Sequence, residues 1–464
     1  MVFSGLLFLC LFLPITLLLY NLSRNITYKN IILLAASLVF YGWGEPLLIL
    51  VMLASALTAF ICSHIIDKNR GRAAAKAALA AAAVICIGFL AVFKYAGFFV
   101  SNINLLFGTS IGFTGFSLPL GISFYTFQIL SYTVDVYRGD AEAQPHFYKF
   151  LLYVTMFPQL VAGPIVRYVD IESRINCRRT DWADFEQGVI RFSQGLLKKV
   201  ILANSAGSIV DSLIGGNLNS LSAAGAWLGI LMFTLQIYFD FSGYSDMAIG
   251  LGYFFGFRFK ENFDYPYTSK SITEFWRRWH ISLGSFFRDY VYIPLGGNRR
   301  HQLFNIAVVW FLTGFWHGAS WNFVLWGVYY GVWLILEKKL IFRFIDRIPT
   351  VLRLLYTNAV VVVGWILFYF TDMSRLKSFL IVALGRNLNG TSLLALDSLK
   401  SNVWIIVVMV LACTPIFKKL FILLRDKCPK IYSAVLPISV IVVMLICFTM
   451  LVKQSYNPFL YFRF

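Results

Sequence analysis

The sequence predicts an all-α polytopic membrane protein. Hydrophobic residues make up 59% of its 464 residues and charged residues only 13%, whereas soluble domains are nearer half apolar and a quarter charged. Several stretches are apolar over about the 20 residues that a helix needs to cross a bilayer. They are 3–20, 79–93, 226–239, 355–370, 402–417 and 431–452. The alternation of apolar and polar residues that is typical of a membrane β-barrel is absent from them.

The first apolar stretch is interpreted as a spanning helix and not as a cleaved signal, because no Lys or Arg precedes it and no small-residue cleavage site follows. Basic clusters follow at 24–29 and 68–76, and "GWGEP" at 42–46 predicts the turn of a helical hairpin between them. Lys and Arg concentrate in cytoplasmic loops. Both clusters are therefore placed in the cytoplasm and the N-terminus outside.

The rest of the chain continues this alternation. Residues 77–99 return outward, and 117–139 form an apolar segment in which Pro119 and Gly121 predict a broken helix. The later segments are a basic excursion at 167–199, an apolar run at 224–256, a second basic segment at 257–301, an apolar hairpin at 301–336, and four more apolar helices separated by basic turns at 337–353 and 418–430. We expect about 11 spanning helices plus two or three re-entrant or interfacial ones, within a single membrane domain over 1–464. Its parts are N-terminal helices at 1–110, a core at 117–340 and C-terminal helices at 350–464.

The net charge of +18 is interpreted as the excess of cations that sets membrane topology, so nucleic acid is not an expected partner. The alternative is that this basic surface also receives an anionic substrate or an acidic carrier protein. The seven cysteines contain no C-x-x-C pair, and the chain has only five histidines. We therefore expect neither a disulfide framework nor a metal site.

Residues 273–290, "TEFWRRWHISLGSFFRDY", predict one helix with an aromatic face and an arginine-rich edge. The aromatic residues and His280 recur at helical spacing, and the arginines, Arg278 among them, fall outside that stripe. Such a helix lies in the membrane interface or re-enters the membrane. His280 is either an interfacial histidine bonded to a backbone carbonyl or a member of a buried site that opens to the cytoplasm.

A second histidine lies in "TGFWHGASWNF" at 313–323. A helix from His301 to His317 would rise about 24 Å at roughly 1.5 Å per residue, which is less than the roughly 30 Å of the bilayer core. The small residues after His317 allow a bend, and 321–336 then return to the cytoplasm. His317 is therefore placed at the apex of a hairpin inside the membrane. An ionisable group there favours function over a structural hydrogen bond, and a neutral imidazole can accept a proton.

A third constellation is "QIYFDFSGYSD" at 236–246. Asp240, Tyr244 and Asp246 lie in or beside an apolar helix, where carboxylates need partners. The candidate partners are Arg138, Arg278, the two histidines and a substrate hydroxyl. The alternative that these groups only join helices stays open.

The two histidine-containing stretches, "FWRRWHISLGSFFRDYVYIPLGG" (275–297) and "TGFWHGASWNFVLWGVYYG" (313–331), resemble the signature of the membrane-bound O-acyltransferase (MBOAT) superfamily. Within it, the chain resembles the bacterial alginate O-acetyltransferase-like branch. The supporting stretches are "PLGISFYTFQILSYTVDVYRG" (119–139), "FPQLVAGPI" (157–165), "QIYFDFSGYSDMAIG" (236–250), "NFDYPY" (262–267) and "PFLYFRF" (458–464). The resemblance extends over nearly the whole chain.

The resemblance implies an O-acyltransferase, with acetyl as the expected group, whose helical core contains a transverse tunnel. It implies that His317 is the catalytic base and that His280 positions the substrate or shares in proton transfer. We expect Arg278 to hold donor phosphates and Trp316 and Asn322 to line the pocket. The full set of expected substrate-binding residues is Asp240, Tyr244, Asp246, Arg278, Trp316 and Asn322.

The resemblance also implies the reaction partners. No permanently bound cofactor is expected; the donor would be an acyl thioester in the cytoplasm, acetyl-CoA before acyl carrier protein. The acceptor hydroxyl would belong to a cell-surface polysaccharide or to an extracytoplasmic partner, either an SGNH-type acetyltransferase or an acyl-accepting membrane protein. The expected location is the bacterial inner membrane.

Two other functions stay open. One is D-alanyl transfer to teichoic acid within the same family. The other, from a different class, is a transporter or flippase of polysaccharide precursors, which predicts inverted repeats that the sequence does not show. The sequence does not identify the polymer.

Overall fold

The computed structural model describes residues 1–160, 163–387, 392–453 and 459–460. These residues form helices and contain no β-strand, which confirms the all-α fold class. The first half of the chain contains helices α1 Leu13–Asn21, α2 Ile26–Gly42, α3 Ile49–Lys68, α4 Ala73–Leu90, α5 Ala96–Phe107, α6 Ile122–Arg138, α7 Phe147–Thr155, α8 Phe157–Leu160, α9 Tyr168–Asn176, α10 Trp182–Leu197 and α11 Asn204–Val210. The second half contains α12 Ala223–Phe254, α13 Ile272–Arg278, α14 Ile281–Phe287, α15 Gln302–His317, α16 Trp321–Lys339, α17 Thr350–Tyr369, α18 Met373–Ala383, α19 Leu393–Ala412, α20 Ile416–Lys427 and α21 Pro429–Lys453.

Short π-helical and 3₁₀ segments lie between or at the ends of these helices. The π-helical segments of the described chain are Phe8–Phe12, Ala91–Tyr95, Lys198–Ala203, Asp211–Gly215 and Arg288–Tyr292. The 3₁₀ segments are Leu218–Ser220, Pro266–Thr268, Ile341–Arg343 and Ile345–Arg347. Single π-helical turns occur mostly inside α-helices. The one at Ala91–Tyr95 joins α4 and α5 into one apolar helix, Ala73–Phe107.

Six helices of the described chain are long and apolar enough to cross a membrane. They are Ile49–Lys68, Ala73–Phe107, Ala223–Phe254, Thr350–Tyr369, Leu393–Ala412 and Pro429–Lys453. Two shorter apolar helices, Phe8–Asn21 and Ile26–Gly42, precede them. The chain is therefore a multi-pass membrane protein. The expected total of about 11 spanning helices depends on shorter or more polar helices and stays a prediction, as does the tunnel.

Three predicted segments differ from the structure. The helix expected to be broken at Pro119 and Gly121 instead starts after them, because Gly121 takes a left-handed conformation (φ 72°) at its N-cap. The segment expected to be a basic turn at 418–430 is largely helix α20. The single helix expected over 273–290 is wrong, because the chain breaks at His280. The hairpin turn at 42–46 is confirmed, since α2 ends at Gly42 and α3 begins at Ile49.

The chain divides into two compact units. The first contains Met1–Phe192 and Ser245–Lys260, and the second contains Ser193–Tyr244 and Glu261–Phe464. The prediction of one membrane domain stays a prediction. The motif "FPQLVAGPI" belongs to the first unit, and two of its residues, 161 and 162, lie outside the described residues.

A buried arginine joins three helix ends of the first unit. The Nε of Arg178 donates to the Tyr20 hydroxyl and to the carbonyl oxygen of Phe255, both at 2.9 Å. Its Nη1 donates to Oδ1 of Asn30 at 2.6 Å. Arg178 is only 6% exposed, and the carbonyl at the C-terminal end of α12 is a favourable site for a cation. The guanidinium therefore connects the end of α1, the start of α2 and the end of α12.

Helices α15 and α16 of the second unit pack closely against each other. A Cβ added to Gly314 would overlap the carbonyl oxygen of Phe323, and one added to Gly327 would overlap that of Trp310. Small residues let two helix backbones approach in a membrane. The glycines therefore set the crossing that brings the end of α15, with His317, against α16.

We expect Gly327→Ala to lower the free energy of unfolding by about 1–3 kcal/mol or more, because the methyl group meets backbone that cannot rotate away. Thermal unfolding of the purified protein in one detergent, followed by tryptophan fluorescence, measures the change. Gly88→Ala is the matched control, since a Cβ at this helical glycine meets nothing within 4 Å. Equal melting temperatures for the two variants would contradict the expected crossing.

Candidate active site

His280 lies at the break between α13 and α14. Its backbone takes a left-handed conformation, with φ 45°, which is uncommon for a residue other than glycine. The side chain is 2% exposed, and its ring centroid lies 4.7 Å from that of Phe241 and 6.5 Å from that of Phe263. The turn thus places an imidazole in an aromatic environment between two helices of seven residues, too short to span the membrane.

The polar partner of His280 is Asn262, which sequence reasoning did not single out. Oδ1 of Asn262 lies 3.1 Å from Nδ1 of His280. The same oxygen accepts hydrogen bonds from the backbone N–H of Ser282 at 3.1 Å and from its hydroxyl at 2.8 Å. Burial lowers the pKa of His280 from its ordinary value of 6.5, because a charged imidazolium loses its hydration there. His280 is therefore neutral at pH 7.

His317 is the last residue of α15, as the hairpin prediction required, and is 6% exposed. Its ring centroid lies 4.9 Å from that of Trp326 and 5.3 Å from that of Phe368, both in edge-on contact. The neighbouring Trp316 lies 5.0 Å from His317 and 6.0 Å from His280. The two histidines, 37 positions apart in the sequence, therefore share one indole as a neighbour.

Trp316 and Asn322, the predicted pocket walls, lie beside His317 in different ways. Trp316 contacts both imidazoles directly and is 4% exposed. Asn322 is fully buried, and its Nδ2 donates to the carbonyl oxygens of Leu367 at 3.2 Å and Phe368 at 3.3 Å. The amide thus holds the start of α16 against the end of α17, and it acts on His317 through the ring of Phe368.

Asp240 and Tyr244 lie beside the C-terminal segment. Oδ1 of Asp240 pairs with Nζ of Lys199 at 2.5 Å, and its Oδ2 accepts from the backbone N–H of Leu460 at 2.7 Å. The ring of Phe459 lies 4.9 Å from Tyr244 and 5.8 Å from Phe241, the neighbour of His280. Sequence reasoning counted Lys199 only as a topology cation and so missed it as the partner of Asp240. Of the motif "PFLYFRF", residue 458 and residues 461–464 lie outside the described residues.

The other two predicted substrate-binding residues also have protein partners. Asp246 belongs to the first unit, where it pairs with Arg191 at 2.8 Å. Arg278 pairs with Glu274 at 2.9 Å and more loosely with Asp264 at 3.5 Å, with about a third of its side chain exposed. The guanidinium of Arg278 is thus partly accessible from outside the protein.

Glu337 is a positioning residue that the sequence analysis included only as the first residue of the basic turn at 337–353. It is fully buried. Its carboxylate accepts from the backbone N–H groups of Ile272 at 2.6 Å and Thr273 at 2.8 Å, and from the Thr273 hydroxyl at 2.7 Å. These N–H groups form the first turn of α13, where negative charge is favourable. Glu337 therefore fixes the helix that leads to His280 against α16.

One family model and several known proteins match the chain. The model, described as MBOAT, membrane-bound O-acyltransferase family, matches residues 37–378. The chain is 44% identical to the probable alginate O-acetylase AlgI of Azotobacter vinelandii, over 79% of this chain and 75% of that protein. It is also 44% identical to the protein of the same name in Pseudomonas aeruginosa, over 79% of this chain and 72% of that protein. It is 31% identical to the peptidoglycan O-acetyltransferase of Helicobacter pylori, over 100% of this chain and 98% of that protein.

Proposed function

Because the chain belongs to the membrane-bound O-acyltransferase family and is an acyltransferase, we propose that it transfers an acetyl group from a cytoplasmic thioester to a hydroxyl group. That hydroxyl belongs to a cell-surface polysaccharide or to an extracytoplasmic partner protein. The names of the relatives support an acetyl group and a polysaccharide acceptor. The single observation that carries the proposal is the pair of buried histidines that share Trp316.

In this reaction His317 acts as the general base. The acceptor oxygen attacks the thioester carbonyl while His317 takes the hydroxyl proton. The new C–O bond forms, the C–S bond breaks, and the proton passes to the leaving thiolate. The aromatic rings around His317 keep out water, which would otherwise hydrolyse the thioester. Direct transfer is favoured over an acyl-serine relay, because Ser320 is separated from His317 by two small residues and lies on the bend between α15 and α16.

Arg278 is the proposed contact for the phosphates of the donor. It is partly exposed and holds Asp264 only loosely, so a donor phosphate, which accepts two parallel N–H bonds from a guanidinium, can replace that carboxylate. Asp240 is paired with Lys199, and Asp246 is paired with Arg191 within the first unit. We assign neither carboxylate to substrate contact.

The charge distribution of the sequence supports transfer from the cytoplasm outward. We place the protein in the bacterial inner membrane with its N-terminus outside, so that the basic clusters at 24–29 and 68–76 face the cytoplasm. The donor, acetyl-CoA or an acyl carrier protein, then arrives from the cytoplasm. An SGNH-type acetyltransferase or an acyl-accepting membrane protein receives the acetyl group on the other side.

Acyl transfer from a labelled donor tests the proposal. Purified protein in nanodiscs is given one of three donors: ¹⁴C-acetyl-CoA, an acyl carrier protein that bears a ¹⁴C-acetyl group, or a carrier protein that bears a ¹⁴C-D-alanyl group. The acceptor is a soluble polysaccharide or an SGNH-type partner. We expect label in the acceptor from one of the acetyl donors, as a hydroxylamine-sensitive ester. Label from the D-alanyl donor alone would favour the D-alanyl alternative, and no transfer from any donor would refute the proposed reaction.

A further inference from the structure

The orientation of the Asn262 side chain is fixed by a neighbour that can only donate. Oδ1 of Asn262 lies 3.1 Å from the backbone nitrogen of Ser282. Since a backbone N–H has no acceptor capacity, the atom that faces it must be the oxygen of the amide and not its nitrogen. The ambiguity that usually affects asparagine side chains is therefore absent. The Ser282 hydroxyl, 2.8 Å from the same oxygen, provides a second donor.

The oxygen of Asn262 in turn fixes the proton of His280. Nδ1 of His280 lies 3.1 Å from Oδ1 of Asn262, and an amide oxygen can only accept. The other polar neighbour of Nδ1 is the Ser282 hydroxyl at 3.4 Å, which donates its proton to the closer Asn262 oxygen at 2.8 Å. Nδ1 therefore carries the hydrogen. A neutral imidazole has one N–H, so its Nε2 carries a lone pair and accepts, but does not donate, hydrogen bonds.

The backbone holds this pair in register. The carbonyl oxygen of Asn262 accepts from the N–H of Ile281 at 3.0 Å, and the N–H of Asp264 donates to the carbonyl of Arg278, also at 3.0 Å. These two bonds bracket the left-handed turn at His280. Asn262 itself is fully buried, so water does not compete for its amide oxygen. The segment 262–264 thus stabilises the break between α13 and α14 by backbone hydrogen bonds on both sides of His280.

We propose that Asn262 is the positioning residue that holds His280 in its Nδ1–H tautomer, so that Nε2 presents a lone pair to the substrate. His280 then accepts a hydrogen bond from the incoming hydroxyl and orients it, and it does not donate to the thioester carbonyl. The role of His280 in catalysis rests on the proposed acyl transfer, whereas the tautomer itself does not.

The tautomer is measured directly by ¹⁵N NMR of protein with ring-labelled histidine in lipid at pH 7.5. Protonated and unprotonated ring nitrogens have clearly different shifts, and the spectrum of His280→Gln assigns the signals of His280 among the five histidines. We expect a protonated Nδ1 and an unprotonated Nε2 in the wild type. A protonated Nε2 in the wild type would overturn the proposal whether or not the protein transfers acyl groups.

Two variants of Asn262 separate positioning from folding. Asn262→Asp keeps an oxygen acceptor, so the Nδ1–H signal should persist. Asn262→Leu removes the acceptor, and we expect a mixture of tautomers. We also expect a fall in kcat of about 10- to 100-fold, by analogy with the partners that orient metal-binding histidines. KM for the donor should stay within about twofold, since neither variant touches the phosphate contact.

The matched control is Asn305→Leu. Asn305 is another buried asparagine of the second unit, and its Nδ2 donates to the carbonyl oxygens of Gly297 and Arg300. We expect this variant to keep the His280 tautomer and kcat even where its melting temperature falls. An equal loss of kcat in Asn305→Leu, or an unchanged tautomer in Asn262→Leu, would refute the proposal. A correct tautomer in a protein that transfers no acyl group would refute only the proposed function.

Discussion

Replacing His317 with alanine is expected to lower kcat for acyl transfer by about 10²- to 10⁴-fold, the usual contribution of a general base. The reason is local. The imidazole is enclosed by Trp316, Trp326 and Phe368, so a water molecule is poorly placed to replace it. The measurement is the initial rate at which nanodisc-embedded protein transfers labelled acetyl groups at a saturating donor concentration. The amount of folded protein is matched by size-exclusion chromatography.

His146→Gln is the matched control for this substitution, because His146 lies on an exposed part of the first unit. It should transfer acetyl at the wild-type rate. Binding of a non-hydrolysable thioester analogue should be nearly unchanged in His317→Ala, since a base is needed for the chemical step and not for donor binding. A His317→Ala protein with an intact fold and the wild-type rate would show that the base is another group.

A measurement on the wild-type protein distinguishes direct transfer from a covalent relay. Intact-protein mass spectrometry after donor addition without acceptor should show no added acetyl mass in the wild type under direct transfer. A stable increase of one acetyl group, lost on addition of acceptor, would indicate an acyl-enzyme and would assign the nucleophile by peptide mapping.

The position of His317 could be predicted because it depends on local quantities. A hairpin and its end are determined by three features: the length of the apolar run after His301, the small residues after His317, and the basic turn that begins at 337. The structure ends α15 at His317 and begins α16 at Trp321. Helix length and the placement of charged residues were sufficient to predict the position of His317, because the bilayer constrains both.

The break at His280 could not be predicted in this way. The spacing of its aromatic neighbours fits a continuous helix, and no Gly or Pro lies between Thr273 and Leu283. The break is stabilised by Asn262, 18 positions earlier, which bonds the backbone on the far side of the turn. The spacing of residues within 273–290 carries no information about a contact with Asn262. The tertiary contact therefore overrode the local helical pattern.

The carboxylates of the third constellation show the same limit. Their burial was predicted from their apolar neighbours, and burial required a cationic or hydrogen-bonding partner. The partners themselves, Lys199 for Asp240 and Arg191 for Asp246, come from segments that looked like ordinary topology signals. A cation near a helix end can set the membrane topology or pair with a buried carboxylate, and only the packing of the helices decides between these two roles.

Replacing Lys199 with methionine is expected to lower the free energy of unfolding by about 3–5 kcal/mol, the usual effect of removing one partner of a buried ion pair. The side chains of Lys199 and Asp240 are 6% and 3% exposed and their charged atoms lie 2.5 Å apart, so the carboxylate would be left charged and poorly hydrated. Unfolding by heat or urea in one detergent, followed by tryptophan fluorescence, measures the loss.

The double variant Lys199→Met/Asp240→Asn should recover most of that stability. Asparagine is neutral, and its side-chain oxygen can still accept a hydrogen bond from the backbone N–H of Leu460. This coupling is measured as a double-mutant cycle. Lys260→Met is the control, since Lys260 pairs with Asp170 but is 75% exposed, and an exposed pair contributes about 0–1 kcal/mol. If Asp240 instead contacts substrate, Asp240→Asn alone will raise the acceptor KM while the stability stays unchanged, and the cycle will show no coupling.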